Sequence, residues 1–135
     1  MNRIIITIMC FISFVAYTKP QSPKDIIVAA DLYEKSDLKM NLDFIDLMKF
    51  IEEKILSQNE VSYHQELKKR IIYNQRAWLT YRDSYCELTA LREGNTRAVL
   101  YYEINCMAEQ TKERIKYLVL LKQLVTVDAK LTNLP

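Results

Sequence analysis

A chain of 135 residues is one small domain with room for a single core. One glycine and three prolines are too few for a turn-rich fold, while the helix formers Ala, Leu, Glu, Lys, Met and Gln are plentiful, so an all-α protein is expected. The formal charge of +2 is no electrostatic footprint for nucleic acid, and it is not the acidic surface of a dedicated binder of basic proteins.

The chain opens MNRIIITIMCFISFVAY, where Arg3 precedes an apolar run, Ile4–Tyr17. That run has the length of a signal-peptide core and falls short of the ~20 residues of a membrane span. Residues 1–18 are expected to be a signal peptide, with cleavage after Ala16 or Thr18 and release to the periplasm or the outside. The alternative is an uncleaved anchor. Cys10 follows Met9, not the small residue that a lipid-modified cysteine wants. Cleavage leaves a charge of +1, from eighteen basic and seventeen acidic residues.

A helical domain is expected over 22–125. Ser22-Pro23 offers a capping hydroxyl and then a proline at the first helical position. In the first helix Leu38, Leu42, Ile45, Met48, Glu52 and Ile55 step by three and four, which predicts the buried stripe. The segment Leu56–Val61 reads as a break. A second helix is predicted from about Ser62 to Glu93, with Leu67, Ile71, Asn74, Trp78, Tyr81, Tyr85 and Leu88 as its seam. Gly94 stands where a left-handed cap would end that helix. Thr96 can cap a third helix running to about Val125, with Val99, Tyr102, Cys106, Gln110, Tyr117, Leu121 and Leu124 inward. Thr126–Pro135 loses the pattern and reads as a frayed tail. The predicted architecture is a three-helix antiparallel bundle.

Two cysteines remain after the signal segment, and in an exported protein they most simply form one disulfide. The midpoint of Cys86 and Cys106 is residue 96, inside the Gly94-Asn95-Thr96 turn. A hairpin folded at that turn sets the cysteines level with each other. The same register pairs Trp78 with Arg114, Tyr81 with Thr111 and Arg82 with Gln110, and brings Arg114 within reach of Asp83. Two readings follow. Trp78, Asp83 and Arg114 form a structural pin beside the disulfide, or Arg82 and Asp83 project outward as a recognition surface beside exposed tyrosines.

Gln75, Arg76, Trp78, Tyr81, Arg82, Asp83 and Cys86, then Gly94, then Cys106, Thr111, Arg114 and Leu118 resemble the pattern of the LprI-like lysozyme-inhibitor family of small exported bacterial domains. The resemblance covers roughly 29–118. It implies a helical extracytoplasmic protein, without catalysis or cofactor, whose partner is a protein such as a lysozyme-type muramidase. The sequence departs from the family in two places. Val28-Ala29-Ala30 stands where members often carry another cysteine, and Asn95-Thr96 replaces Gly-Ser in the turn.

A lysozyme inhibitor needs only a rigid surface. Glu52, Glu53, Glu60 and Glu66, around the first break, are candidate acidic contacts for a basic partner, or else an ordinary solvated surface. The runner-up is an envelope or secreted module of another kind, toxin-neutralising, stress-related or host-directed. Tyr73 and Tyr101-Tyr102 are candidate contacts for either. Enzymatic chemistry finds little support: His64 is the single histidine, and no nucleophile motif is present. Lys68-Lys69-Arg70 reads as a solvated helix face.

Overall fold

Ser22 begins the first helix as a reciprocal cap. The backbone N–H of Asp25 donates to its Oγ at 3.3 Å, and its own N–H donates to Asp25 Oδ2 at 3.0 Å. In the computed structural model, which describes residues 22–57, 61–94 and 96–131, three α-helices follow: α1 Pro23–Ser57, α2 Val61–Ala90 and α3 Thr96–Leu131. The expected signal segment, residues 58–60 of the first break, Asn95 and residues 132–135 of the expected tail lie outside the described residues. The helix of α3 continues six residues past Val125, into the stretch read from sequence as a tail.

The chain runs up, down and up. Lys122 of α3 pairs with Asp46 of α1, and Lys68 of α2 pairs with Glu52 of α1, which sets α2 antiparallel to both neighbours. The largest interface is that of α1 with α3. Between α2 and α3 a single 3-10 turn, Leu91–Glu93, leads to Gly94, whose φ of 64° is left-handed. A Cβ at position 94 would meet nothing within 4 Å. Gly94→Ala is therefore expected to cost only the backbone term, about 1 kcal/mol. Thermal melting checks this; a fall of only a few degrees, with the spectrum unchanged, is the expected outcome.

The core has two ends. At one end Met40, Leu47, Ile51, Ile71, Leu118 and Val125 form an apolar cluster. Phe44, Phe50, Leu67, Trp78 and Ile115 pack around it. Toward the hairpin turn the buried residues are small: Ala29, Ser36, Cys86, Ala90 and Ala108. Small side chains let helices approach closely, and it is here that the disulfide crosses from α2 to α3, with Cα atoms 5.5 Å apart.

Of the predicted seams Met48, Ile55, Leu67, Ile71, Trp78 and Leu121 do lie in or against the core, and the rest is displaced by about one or two positions. On α1 the buried residues are Ala29, Ser36, Met40, Leu47 and Ile51, whereas Leu38, Leu42 and Ile45 face solvent. On α2 Ile71, Gln75, Arg82 and Cys86 are inside, and Asn74, Tyr81, Tyr85 and Leu88 are exposed. On α3 Ala108, Thr111, Arg114 and Leu118 are inside, and Tyr117 and Leu124 are exposed. On α2 and α3 the physical reason is a set of polar side chains that satisfy one another in the core. They take inward positions that a reading by hydrophobicity assigns to their apolar neighbours.

Candidate functional site: the arginine layer and the outer face of α2

Where the two ends of the core meet, all three helices converge on Arg82, which is 4% exposed. Four of the five donors of its planar fork are used. Nη1 donates to Asp37 Oδ1 at 3.0 Å and to Thr111 Oγ1 at 3.1 Å. Nε donates to Asp83 Oδ1 at 2.8 Å, and Nη2 donates to the Tyr33 hydroxyl at 3.2 Å. The guanidinium also lies 5.3 Å from the centroid of Trp78 and 5.4 Å from that of Tyr33. A lysine could not replace it, because a point charge cannot reach acceptors on three helices at once.

Burial opposes the charge on Arg82, but the bonds from Asp83 and Asp37 outweigh it and hold the group above its ordinary pKa. Burial also raises the Tyr33 phenol, against the lowering effect of the nearby Arg82 charge. Tyr33 is thus neutral at physiological pH and available as hydrogen-bond partner to Arg82.

One turn along the bundle a second arginine does related work. Arg114, 7% exposed, donates from Nε to Gln75 Oε1 at 2.8 Å and from Nη2 to Asn74 Oδ1 at 2.7 Å. Its charge is balanced by ring faces, with Trp78 at 5.2 Å and Tyr117 at 4.6 Å. Desolvation lowers its pKa, which still leaves a cation at neutral pH. Gln75 in turn donates from Nε2 to Met40 Sδ at 3.4 Å. The indole of Trp78 therefore serves both arginines.

This arrangement confirms some expected contacts and corrects others. The Cys86–Cys106 bond and the Trp78–Arg114 contact are present. Arg114 does not reach Asp83, which is held by Arg82. Thr111 takes its bond from Arg82 in place of facing Tyr81, and Arg82 is one position away from its expected partner Gln110. Arg82 points inward, so the outward recognition surface built on it is not there; of that pair only Asp83, with 56% of its side chain exposed, reaches solvent. Tyr33 and Asp37 went unnoticed as partners of Arg82. Their spacing of four residues was the available signal, since it puts both on one face of α1.

Among the described residues near the first break the acidic side chains are matched by basic ones. Glu52 is paired with Lys68 and Glu66 with Arg70, and Lys54 and Lys69 lie in the same stretch. Glu60 is outside the described residues. A groove of about 530 Å³ runs between α1 and α2 here, lined by Glu52, Ile55, Lys68 and Ile72 among others.

The outer side of α2 near the disulfide is different. Tyr81 and Tyr85 stack, ring centroids 5.5 Å apart and planes 20° apart, while remaining 54% and 40% exposed. Leu88, one turn on, is 67% exposed. Of the charges in Tyr81–Glu93, Asp83 is paired with the buried Arg82, and Glu87 and Arg92 are exposed. Among the described residues no group of three or more His, Cys, Asp or Glu could hold a metal, and no helix is long and apolar enough to cross a membrane.

Fold and site together define a small, disulfide-braced all-α module whose buried arginines lock three helices and whose outer α2 face carries exposed aromatics. The chain belongs to the lysozyme inhibitor LprI family, whose model matches residues 18–118. Among solved structures it is similar to a DUF1311 family protein from Pseudomonas putida KT2440, at 18% identity and a TM-score of 0.62, covering 76% of this chain and 95% of that one. At that identity the likeness speaks for the fold. No curated protein matches the chain.

Proposed function

We propose that this protein is an extracytoplasmic inhibitor that binds a lysozyme-type muramidase and occludes it, carrying out no chemistry of its own. Family membership supports the partner class. The apolar run at the N-terminus supports export, and the family match begins at residue 18, where the expected signal peptide ends.

The observation that carries the proposal is the stacked, exposed Tyr81–Tyr85 pair with Leu88 beside it. Tyrosines bring large contact area at low entropic cost and are enriched among interface hot spots. Here they sit on a helix that is fixed from behind by the two arginines and the disulfide, so little ordering remains to be done on binding. In this reading Gln75, Trp78, Arg82, Thr111 and Arg114 position the face and do not touch the partner. Gly94, with its left-handed backbone, ends the 3-10 turn of the hairpin that carries it.

Tyr81→Ala and Tyr85→Ala, each tested alone, are expected to weaken binding about tenfold or more, the loss typical of an aromatic hot spot. Their melting temperatures should change by no more than a few degrees, because both rings are largely outside the core. Titration calorimetry against the lysozyme that is inhibited makes the comparison. Unchanged affinity in both variants would move the contact face elsewhere.

A further inference from the structure

Leu38, Leu42 and Ile45 form an apolar stripe on α1 that no other helix covers, at 60%, 55% and 49% exposure. The residues step by four and three, the spacing with which one helix meets another. They lie on the opposite side of α1 from Met40 and Leu47, so the stripe is an outer face and not a frayed edge of the core. Charges of opposite sign bracket it. Asp31 and Glu34 precede the stripe, and Lys49 follows it. Among the described residues Glu34 and Lys49 have no ionic partner, although Lys35, Lys39, Asp31 and Asp43 of the same helix are all paired.

We propose that this face binds a second copy of the chain, α1 against α1, antiparallel about a two-fold axis near Asn41. In that register Leu38 of one copy meets Leu42 and Ile45 of the other. Lys49 falls against Glu34 of the second copy, the two charges of this face that, among the described residues, have no ionic partner within their own chain. Symmetry repeats each pair at the far end, as a self-complementary two-fold interface requires. Parallel pairing would instead set Glu34 on Glu34 and Lys49 on Lys49. The contact rests on three apolar residues and their charged flanks, well below the ~800 Å² per partner of a standard interface, so a dissociation constant on the order of 10 μM is expected. The dimer would display two copies of the Tyr81–Tyr85 face.

The test is sedimentation velocity of the full chain, produced with its own N-terminal segment and recovered oxidised, from about 1 to 200 μM, a range that brackets that constant. A monomer–dimer equilibrium is expected. Leu42→Glu should weaken it by at least about tenfold without altering thermal melting, because position 42 is outside the core. Lys49→Glu should weaken it several-fold, and adding Glu34→Lys to Lys49→Glu should restore it. A chain that stays monomeric throughout the range, a dimer indifferent to Leu42→Glu, or a Lys49→Glu defect that Glu34→Lys leaves unrepaired overturns the proposal. A monomer whose α1 stripe is covered by a different co-purifying protein overturns it equally.

Discussion

Arg82→Ala is expected to lower stability by about 3 kcal/mol, a fall of roughly 10 °C or more in melting temperature for a domain of this size. The substitution removes four hydrogen bonds at once and unlinks the three helices. Thr111, with no exposure, loses its donor in a fully buried place. Asp37, 31% exposed at the side chain, keeps its charge in a partly desolvated place without the cation that offsets it. Asp83 contributes little to the loss, because at 56% exposure it is rehydrated. A double-mutant cycle separates these parts. The coupling of Arg82→Ala with Asp37→Ala should exceed that with Asp83→Ala, as read by thermal or urea unfolding. Arg82→Lys should recover less than half of the loss, since the charge returns without the fork. Equal melting of Arg82→Ala and the native chain would remove the arginine layer from the account.

Breaking the disulfide should cost a similar amount by a different route. Cys86 and Cys106 are 20 residues apart, and a cross-link closing a loop of that size restricts the unfolded chain by about 3 kcal/mol. The native helices themselves should persist, since the bond joins elements that also pack on one another. Reductant is therefore expected to lower the melting temperature of the native protein by roughly 10 °C while leaving the helical spectrum at room temperature in place. The Cys86→Ala/Cys106→Ala variant should melt at the lower temperature with or without reductant. A reductant effect that survives in that variant would point to a cause other than this bond. Loss of inhibition on reduction, in protein still folded, would show that the hairpin must be stapled to present its outer face.

Much of the architecture is legible in the amino-acid sequence. One glycine in 135 residues announces long helices, and that glycine marks the turn of the hairpin. The midpoint of Cys86 and Cys106, two residues past Gly94, gives both the pairing of helices and the disulfide. The choice of buried face is not legible in the same way. On α2 the stripe of Trp78, Tyr81, Tyr85 and Leu88 is the more apolar one, yet the molecule turns Gln75 and Arg82 inward with Trp78. Those polar residues are admitted because their partners arrive from other helices: Asp37 and Tyr33 from α1, Thr111 and Arg114 from α3. A periodicity count sees one helix at a time and cannot see that compensation. On α1 the rule that apolar residues are buried runs in one direction only, and Leu38, Leu42 and Ile45 are the exceptions that matter. The places where the pattern misleads are therefore the polar layer that positions the fold and the faces left open for other molecules.

Inhibition by binding alone is read out in one titration. Oxidised protein is added to c-, g- and i-type lysozymes acting on peptidoglycan at physiological salt. The expected result is saturable inhibition of at least one of them at a fixed stoichiometry, weakened by Tyr85→Ala and insensitive to preincubation with chelator. No inhibition of any lysozyme up to tens of micromolar, a concentration that would reveal even a weak complex, with the helical spectrum intact, would contradict the account.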